Sequence, residues 1–260
     1  MPEGRPDLLP FVLLACTVLA AQDTVPALLS RGQTAWNESR TDDAIAAFEK
    51  AAAKDPTSLE AQLRLGAAHL QMWVPDTPEV RQHGLKAEAA FRKALKLAPA
   101  NMEALTSLED YLVRSASGPG RVRQLEEAVS LAKRTIQAAP QDKTGYYHMG
   151  VIAWNRVNPE LRAAREEPTV MGPLADAAKR KAFRQQLLPI IDDGLRHLEK
   201  ALALDAKDMD VMGYTFMLYE ERSFLADSKE AFAADNRLAG TWWVKSMEAK
   251  KAAADAVLKQ

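Results

Sequence analysis

The chain has 260 residues, of which 47% are hydrophobic and 27% are charged, and its formal net charge is -1. A charge this close to zero gives no electrostatic reason to expect nucleic acid or an anionic membrane surface as the partner. The single cysteine, Cys16, excludes an internal disulfide, and a chain of this length can bury enough surface to fold without a metal.

The N-terminal segment carries an apolar run, FVLLACTVLAA, over residues 11–21. This run is too short to cross a bilayer as a helix, which takes about 20 residues, but it fits the core of a secretory signal peptide. The small residues at its end predict cleavage after Ala20 or Ala21. We therefore expect residues 1–21 to be a signal peptide and the mature protein to be exported, as a periplasmic or secreted protein.

A second interpretation of the same segment rests on Leu13, Leu14, Ala15 and Cys16, which resemble a bacterial lipobox. Cys16 would then be the lipidated first residue of a membrane-anchored lipoprotein. The apolar run continues past Cys16, and this favours simple cleavage.

Four later stretches share one pattern of residue sizes, over residues 42–56, 85–99, 126–140 and 192–206. In the first, a small residue is followed four places on by a bulky one, then by a small one and a proline: Ala44, Phe48, Ala51 and Pro56. Spacings of four and three place the first three on one helix face. A small residue there lets a neighbouring helix approach, and the bulky one fills the gap. The pattern predicts a stack of helix pairs.

A glycine precedes three of these stretches at a matching place. Gly32 lies twelve residues before Ala44, Gly66 follows Leu65, and Gly150 follows Met149. This combination resembles the tetratricopeptide repeat, a helix-turn-helix unit of about 34 residues. The third copy is degenerate, because Glu109 stands where glycine belongs. The resemblance implies an all-α, right-handed superhelix over residues 22–222 that binds other proteins or peptides without catalysis. Together with the N-terminal segment, it leads us to expect a bacterial, exported protein.

The spacing of the copies departs from that family. Pro56 and Pro99 are 43 residues apart, Pro99 and Pro140 are 41 apart, and the next copy lies further still. The surplus is expected between the two helices of each unit, and the longest insertion covers residues 155–189. Its first half carries Pro159, Pro168 and Pro173 and is not expected to be a regular helix. Residues 174–188 are expected to prolong the second helix, with a kink at Pro189.

A fifth unit begins near residue 209, with Met212 and Tyr219 at core positions and a second helix over residues 227–238. Gly240 is expected to end that helix, and Thr241 to cap another. In this last helix Trp243, Met247 and Ala254 share one face, which is expected to be buried. Residues 223–260 are therefore expected to cap the stack.

The sequence contains no catalytic or metal-binding motif. His148 and His197 fall in one repeat without a third ligand, so no metal and no cofactor are expected. The basic run Lys179, Arg180, Lys181 and Arg184 is expected to be a solvated helix face.

The family resemblance implies a concave groove lined by defined positions of each first helix. Carried over, these are Leu29, Gln33, Trp36, Leu63, Ala67, Leu70, Thr106, Asp110, Val113, Tyr147, Val151 and Trp154. The set is apolar and aromatic. It lacks the Lys, Asn and Arg by which some members of the family hold a terminal carboxylate.

Two states of this groove remain open at the level of sequence. Trp36, Tyr147 and Trp154 are either anchors for a bound peptide or core residues covered by residues 155–173. We expect a noncatalytic scaffold of the cell envelope. The alternatives are a lipoprotein accessory of outer-membrane or secretion machinery and an enzyme that brings Arg162, Arg165 and Glu166 over the groove.

Overall fold

The structure, a computed structural model, describes residues 24–165 and 172–257. In those residues the regular structure consists of helices, which confirms the all-α prediction. The α-helices are α1 (Val25–Asn37), α2 (Thr41–Lys54), α3 (Leu59–Met72), α4 (Arg81–Leu97), α5 (Met102–Ser115), α6 (Arg121–Ala138), α7 (Thr144–Ala164), α8 (Ala177–Leu204), α9 (Met209–Phe224) and α10 (Lys229–Val257). Short 3-10 turns, Pro78–Val80 and Gly118–Gly120, precede α4 and α6.

The chain divides into two compact units, Met1–Tyr111 and Leu112–Gln260, and the division falls within α5. In the first unit α1 packs on α2, α2 on α3, and α3 on α4. In the second unit each helix from α6 to α10 packs on the next, and α7 also contacts α9. Within each unit these helices thus meet their near neighbours in the chain, as in helical repeat arrays.

The glycine of each well-matched repeat lies under the bulky residue of the following helix. A Cβ on Gly32 would stand 2.4 Å from Phe48 Cε1, and one on Gly66 would stand 2.7 Å from Phe91 Cε1. On Gly150 it would stand 2.3 Å from Leu198 Cδ2. The same contact recurs although different numbers of residues separate its partners, so the insertions leave the helix pairing unchanged.

The surplus residues of the second repeat form a short anchored turn between α3 and α4. Trp73, the first residue after α3, is buried and packs edge-on against Tyr111 with ring centroids 4.9 Å apart. Gly84 of α4 makes room for this pair, because a Cβ there would lie 2.8 Å from the Trp73 ring. The surplus lies between the two helices, as predicted.

The long insertion begins as helix and leaves the helix at Arg165, so residues 155–173 are not one regular helix, as expected. Helix α7 continues through Pro159 to Ala164. Proline has no N–H, so the carbonyl of Asn155, four residues earlier, loses its helical donor. The guanidinium of Arg121 on α6 takes that place, donating through Nη2 to the carbonyls of Asn155 and Arg156 at 2.5 and 3.3 Å.

The second half of the insertion prolongs the following helix, as predicted. Helix α8 runs for 28 residues with Pro189 inside it, and the Asp176 side chain caps its start by accepting a hydrogen bond from the N–H of Lys179 at 2.9 Å. The described part of the insertion therefore consists largely of extra helix at the end of α7 and at the start of α8.

The C-terminal helix also differs from expectation, because α10 continues through Gly240 as a single helix to Val257. Gly240 has no positive φ, and the Thr241 hydroxyl donates to the carbonyl of Arg237 at 2.9 Å, as it does within a helix. The predicted buried face was also wrong: Trp243 is 49% exposed and Met247 is 44% exposed. The face that packs on α9 carries Ala239 and Ser246, and Ser246 Oγ donates to the carbonyl of Met209 at 3.1 Å.

A cation joins two turns of the second unit. Lys143, just before α7, places Nζ 2.5 Å from carboxylate oxygens of both Asp205 and Asp208 in the turn between α8 and α9. The two hydrogen bonds raise the pKa of Lys143 to about 12, with that to Asp205 contributing most. Asp208 also accepts hydrogen bonds from the first N–H groups of α9.

Candidate functional site

The second unit brings three large aromatic side chains together on α7 and α9. Tyr147 and Trp154 of α7 each meet Tyr214 of α9 edge to face, with ring centroids 5.6 and 6.1 Å apart. All three are partly exposed, as is Val151 between them, and the three rings pack against the core of the unit. We call Tyr147, Val151, Trp154 and Tyr214 the aromatic face.

The described ends of the insertion lie at the other end of α9. The N–H of Leu174 donates to the carbonyl of Phe224 at 2.9 Å, and Arg184 Nη1 of α8 donates to that of Leu225. Ten residues separate Tyr214 from Phe224, which is about 15 Å along a helix. These anchors attach Leu174 and Arg184 to the C-terminal end of α9.

A buried carboxylate holds the end of α7 against α9. Glu221 is 2% exposed and accepts hydrogen bonds from Asn158 Nδ2 at 2.6 Å and Arg165 Nη2 at 2.7 Å. Burial raises the pKa of Glu221, and both hydrogen bonds oppose that shift. The Arg165 guanidinium also lies 3.6 Å from the centre of the Phe224 ring. Arg165 is therefore engaged within the fold, and this removes it from the polar set suggested for an enzyme.

Several solved structures resemble this chain over most of its length. A MamA protein superposes with a TM-score of 0.57 and 14% identity, covering 90% of this chain and 95% of its own. MamA of Desulfovibrio magneticus RS-1 gives 0.59 and 15%, covering 88% and 97%. YrrB, described as a tetratricopeptide-repeat protein with an unusual peptide-binding site, gives 0.55 and 13%, covering 91% and 97%.

The chain has the tetratricopeptide-repeat fold. The sequence similarity is low enough that the likeness speaks to fold alone. No family model matches the sequence, and no curated protein does.

In the first unit, most side chains at the predicted groove positions are partly or fully buried. Leu29 and Trp36 of α1 are half-buried and pack against the cluster around Phe48. Gln33 donates through Nε2 to Asn37 Oδ1 at 2.9 Å. On α3, Leu63 is buried, whereas Ala67 and Leu70 are partly exposed.

The predicted positions of the third repeat lie on α5, on both sides of the division between the units. Thr106 turns its hydroxyl back to the carbonyl of Met102 at 2.9 Å, and Asp110 is exposed. Val113, in the second unit, is buried. Of the predicted groove residues, the structure therefore brings Tyr147, Val151 and Trp154 together on one surface of the second unit. The predicted residues of the first two repeats lie within the first unit.

Tyr214 is the member of the aromatic face that sequence reasoning missed. The fifth repeat was placed by Met212, which is buried, and Tyr219, which is partly buried. Tyr214 lies two residues after Met212 and one residue before the buried Thr215.

The basic run on α8 is not simply a solvated face. Arg180 Nη1 donates to the carbonyl of Leu174, and Arg184 pairs with Asp227 at 2.9 Å. Lys179 and Lys181 are exposed. Two of the four cations thus anchor the insertion and the turn after α9.

The histidines of the fourth repeat are held by ordinary contacts. His148 lies beside the Tyr147 ring, with centroids 5.4 Å apart, and His197 Nδ1 is 2.8 Å from the carbonyl oxygen of Asp193. Within residues 24–165 and 172–257, no three His, Cys, Asp or Glu side chains are grouped in a way that could hold a metal ion. None of the helices described there combines the length and hydropathy that a bilayer span requires. Cys16 and Glu166 fall outside the described residues.

Proposed function

We propose that this protein is a noncatalytic scaffold of the cell envelope that binds another protein or a peptide through the aromatic face. The repeat fold supports a scaffold role, because arrays of this kind act through the surfaces that their helices present. The description of YrrB as a peptide-binding protein of the same fold is consistent with it.

The observation that carries the proposal is the partial exposure of Tyr147, Trp154 and Tyr214 in one cluster. Tyr and Trp bury large areas with few rotatable bonds, and they dominate the energetics of protein interfaces. Their rings are already held edge to face, so a ligand would meet a surface that is largely ordered in advance. The described ends of the insertion bond to Phe224 and Leu225, at the far end of α9 from Tyr214.

The test compares Trp154→Ala with a matched change, Trp243→Ala, in partner capture from a cell-envelope extract followed by quantitative mass spectrometry. Trp243 is a half-exposed tryptophan on α10, outside the aromatic face. We expect the wild type and Trp243→Ala to retain the same protein or peptide, and Trp154→Ala to lose it. Equal retention by both variants would contradict the proposal.

Because Trp154 is partly buried, the fold of its variant must be checked by circular dichroism and thermal unfolding. Tyr147→Ser supplies a second variant of the same surface. Both are expected to lose the same partner while keeping the helical spectrum of the wild type.

The envelope location rests on the apolar run of residues 11–21 and is tested at the processed N-terminus. We expect mass spectrometry of the protein from its native host to find a chain that begins after Ala20 or Ala21. A chain that begins at a diacylated Cys16 would favour the lipoprotein alternative. An unprocessed Met1 would contradict export.

A further inference from the structure

A second groove of the second unit lies between α6 and α8, with α7 as its floor. It consists of two adjoining recesses of about 350 and 320 Å³ that share Arg156 and Ile190. One recess extends towards Met149 and the other towards Glu160. The aromatic face contributes none of the lining residues, so this outer groove is a different surface.

Each of the three helices contributes one stripe to the outer groove. Every residue of a stripe has another member of the stripe three or four places along its helix, and the stripe therefore lies on one face. The stripes are Arg121, Val122, Leu125, Val129 and Lys133 of α6; Met149, Ile152, Ala153, Arg156 and Glu160 of α7; and Phe183, Gln186, Leu187, Pro189, Ile190, Asp193 and Arg196 of α8.

The groove has the length of a short helix. Met149 and Glu160, at its two ends on α7, are eleven residues apart, or about 17 Å at the rise of an α-helix. Its walls are helices, whose backbone groups are paired internally, so it offers no strand edge to an extended peptide. A helix of about three turns, with an apolar face, fits the space and the chemistry of the walls.

The charges of the groove favour an acidic ligand. Arg196 pairs with Asp193 at 2.7 Å, and Arg121 pairs with Glu160 at 3.5 Å. These pairs use both acidic side chains of the lining. Two cations remain, Lys133 and Arg156, whose side chains have no hydrogen-bond or ion-pair partner in the part of the chain that the structure describes.

Of these two cations, Arg156 gives the stronger indication of an acidic ligand. Its side chain is partly buried at the junction of the two recesses, between Ile190 of α8 and the apolar residues of α7. A guanidinium in such surroundings lacks the full hydration of a surface charge, and a carboxylate could satisfy it with two parallel hydrogen bonds. Val122, at the other wall, is 61% exposed, and an apolar side chain of a ligand would cover it.

We propose that the outer groove binds an acidic amphipathic helix of a partner protein. Its apolar stripe would lie on Val122, Leu187 and Ile190, and its carboxylates would pair with Arg156 and Lys133. This would give the scaffold a second docking surface, independent of the proposed role of the aromatic face.

The test uses two labelled peptides of about 14 residues, the length of a helix that spans the groove. Both carry leucine on one helical face, and the other positions are mostly glutamate in one and mostly lysine in the other. Binding to the purified chain is followed by fluorescence anisotropy. We expect the glutamate peptide to bind and the lysine peptide to bind at least about tenfold more weakly.

Matched variants locate the binding. Arg156→Glu is expected to lower the affinity for the glutamate peptide by about tenfold or more. Arg162 is an exposed residue of the same helix outside the groove, and Arg162→Glu is expected to change that affinity by less than about twofold. Val122→Glu, on the α6 wall, should weaken it as well. Trp154→Ala, in the aromatic face, should not, and this separates the outer groove from the proposed function.

The proposal is overturned if the wild type binds neither peptide, if it binds both equally, or if Arg156→Glu and Arg162→Glu behave alike. Circular dichroism of each variant accompanies the titrations. Because Val122 is exposed, its variant keeps the test valid even if Arg156→Glu disturbs the fold.

Discussion

At the scale of single residues, the repeat glycines are sites of close approach. A Cβ on Gly150 would lie 2.3 Å from Leu198 Cδ2, well inside van der Waals contact. Gly240 of α10 is the opposite case, since a Cβ there would meet nothing within 4 Å. Both are helical glycines without positive φ, so alanine suits their backbone and only the space around them differs.

This contrast predicts opposite signs for the same substitution. Gly150→Ala should lower the free energy of unfolding by about 1–3 kcal/mol, because overpacking outweighs the gain in helix propensity. Gly240→Ala should raise it by about 0.5–1 kcal/mol, because only the propensity term acts. Urea unfolding of the two variants measures both values. A stabilising Gly150→Ala would show that Leu198 can move away at little cost.

His69 is a buried titratable residue whose effect on the free energy of unfolding depends on pH. It is 1% exposed, its Nδ1 lies 3.0 Å from His83 Nδ1, and its Nε2 lies 3.6 Å from Glu49 Oε1, which also binds Lys86 at 2.9 Å. Burial, with the nearby positive charge of Lys86, lowers the pKa of His69 to about 4. In the unfolded chain a histidine titrates near 6.5.

Between about pH 6.5 and pH 4 the unfolded state binds a proton at His69 that the folded state does not, so stability falls as the pH falls. The full effect is about 3 kcal/mol. We expect urea unfolding to show this loss as the pH falls from about 6.5 to about 4, and His69→Leu to reduce it. The hydrogen bond with Lys86 lowers the pKa of Glu49. The stability that this carboxylate contributes is therefore lost at a lower pH than the stability lost through His69. An unchanged pH dependence in His69→Leu would place the titration elsewhere.

At the scale of elements, a proline inside a helix is tolerated because another helix supplies the missing donor. Arg121 of α6 donates to the carbonyl of Asn155, which Pro159 leaves without a helical partner. Arg121→Ala should therefore destabilise the protein by about 1–2 kcal/mol. In a Pro159→Ala background the helix can make its own hydrogen bond, and the same change should cost clearly less.

A double-mutant cycle on these two positions measures their coupling by urea unfolding, with an expected value of about 0.5–2 kcal/mol. The ion pair of Arg121 with Glu160, at 3.5 Å on an exposed carboxylate, should contribute little. Glu160→Gln supplies the control for it. Additive effects of Arg121→Ala and Pro159→Ala would mean that the carbonyl is satisfied by water instead.

These elements also show what the sequence could and could not predict. The helix pairs followed from Gly32 with Phe48 and Gly150 with Leu198, because their sizes and spacings are local facts. The length of α7 did not, since it depends on a contact with Arg121 on a neighbouring helix. The buried face of α10 was misjudged because Ser246 is the residue buried against α9, whereas Trp243 stays about half exposed although its ring lies 5.2 Å from that of Phe216, and Met247 is exposed as well. Of the three rings in the aromatic face, the sequence predicted Tyr147 and Trp154 and missed Tyr214.

At the scale of the whole molecule, contacts between near neighbours in the chain dominate each of the two units. In such arrays stability is close to a sum of repeat and nearest-neighbour terms, so damage in one unit need not spread. The two units offer equivalent places to damage, because Gly32 under Phe48 and Gly150 under Leu198 make the same contact.

We therefore predict reciprocal patterns of amide hydrogen exchange. Gly150→Leu should remove protection from α7, α8 and α9 and leave α1 and α2 protected, because the added side chain would overlap Leu198. Gly32→Leu should remove protection from α1 and α2 and spare α8 and α9. Gly240→Leu, in open space, is the matched control and should leave both units protected. If either core variant removed protection along the whole chain, the two units would unfold as one cooperative body, and the sum of local terms would not describe this protein.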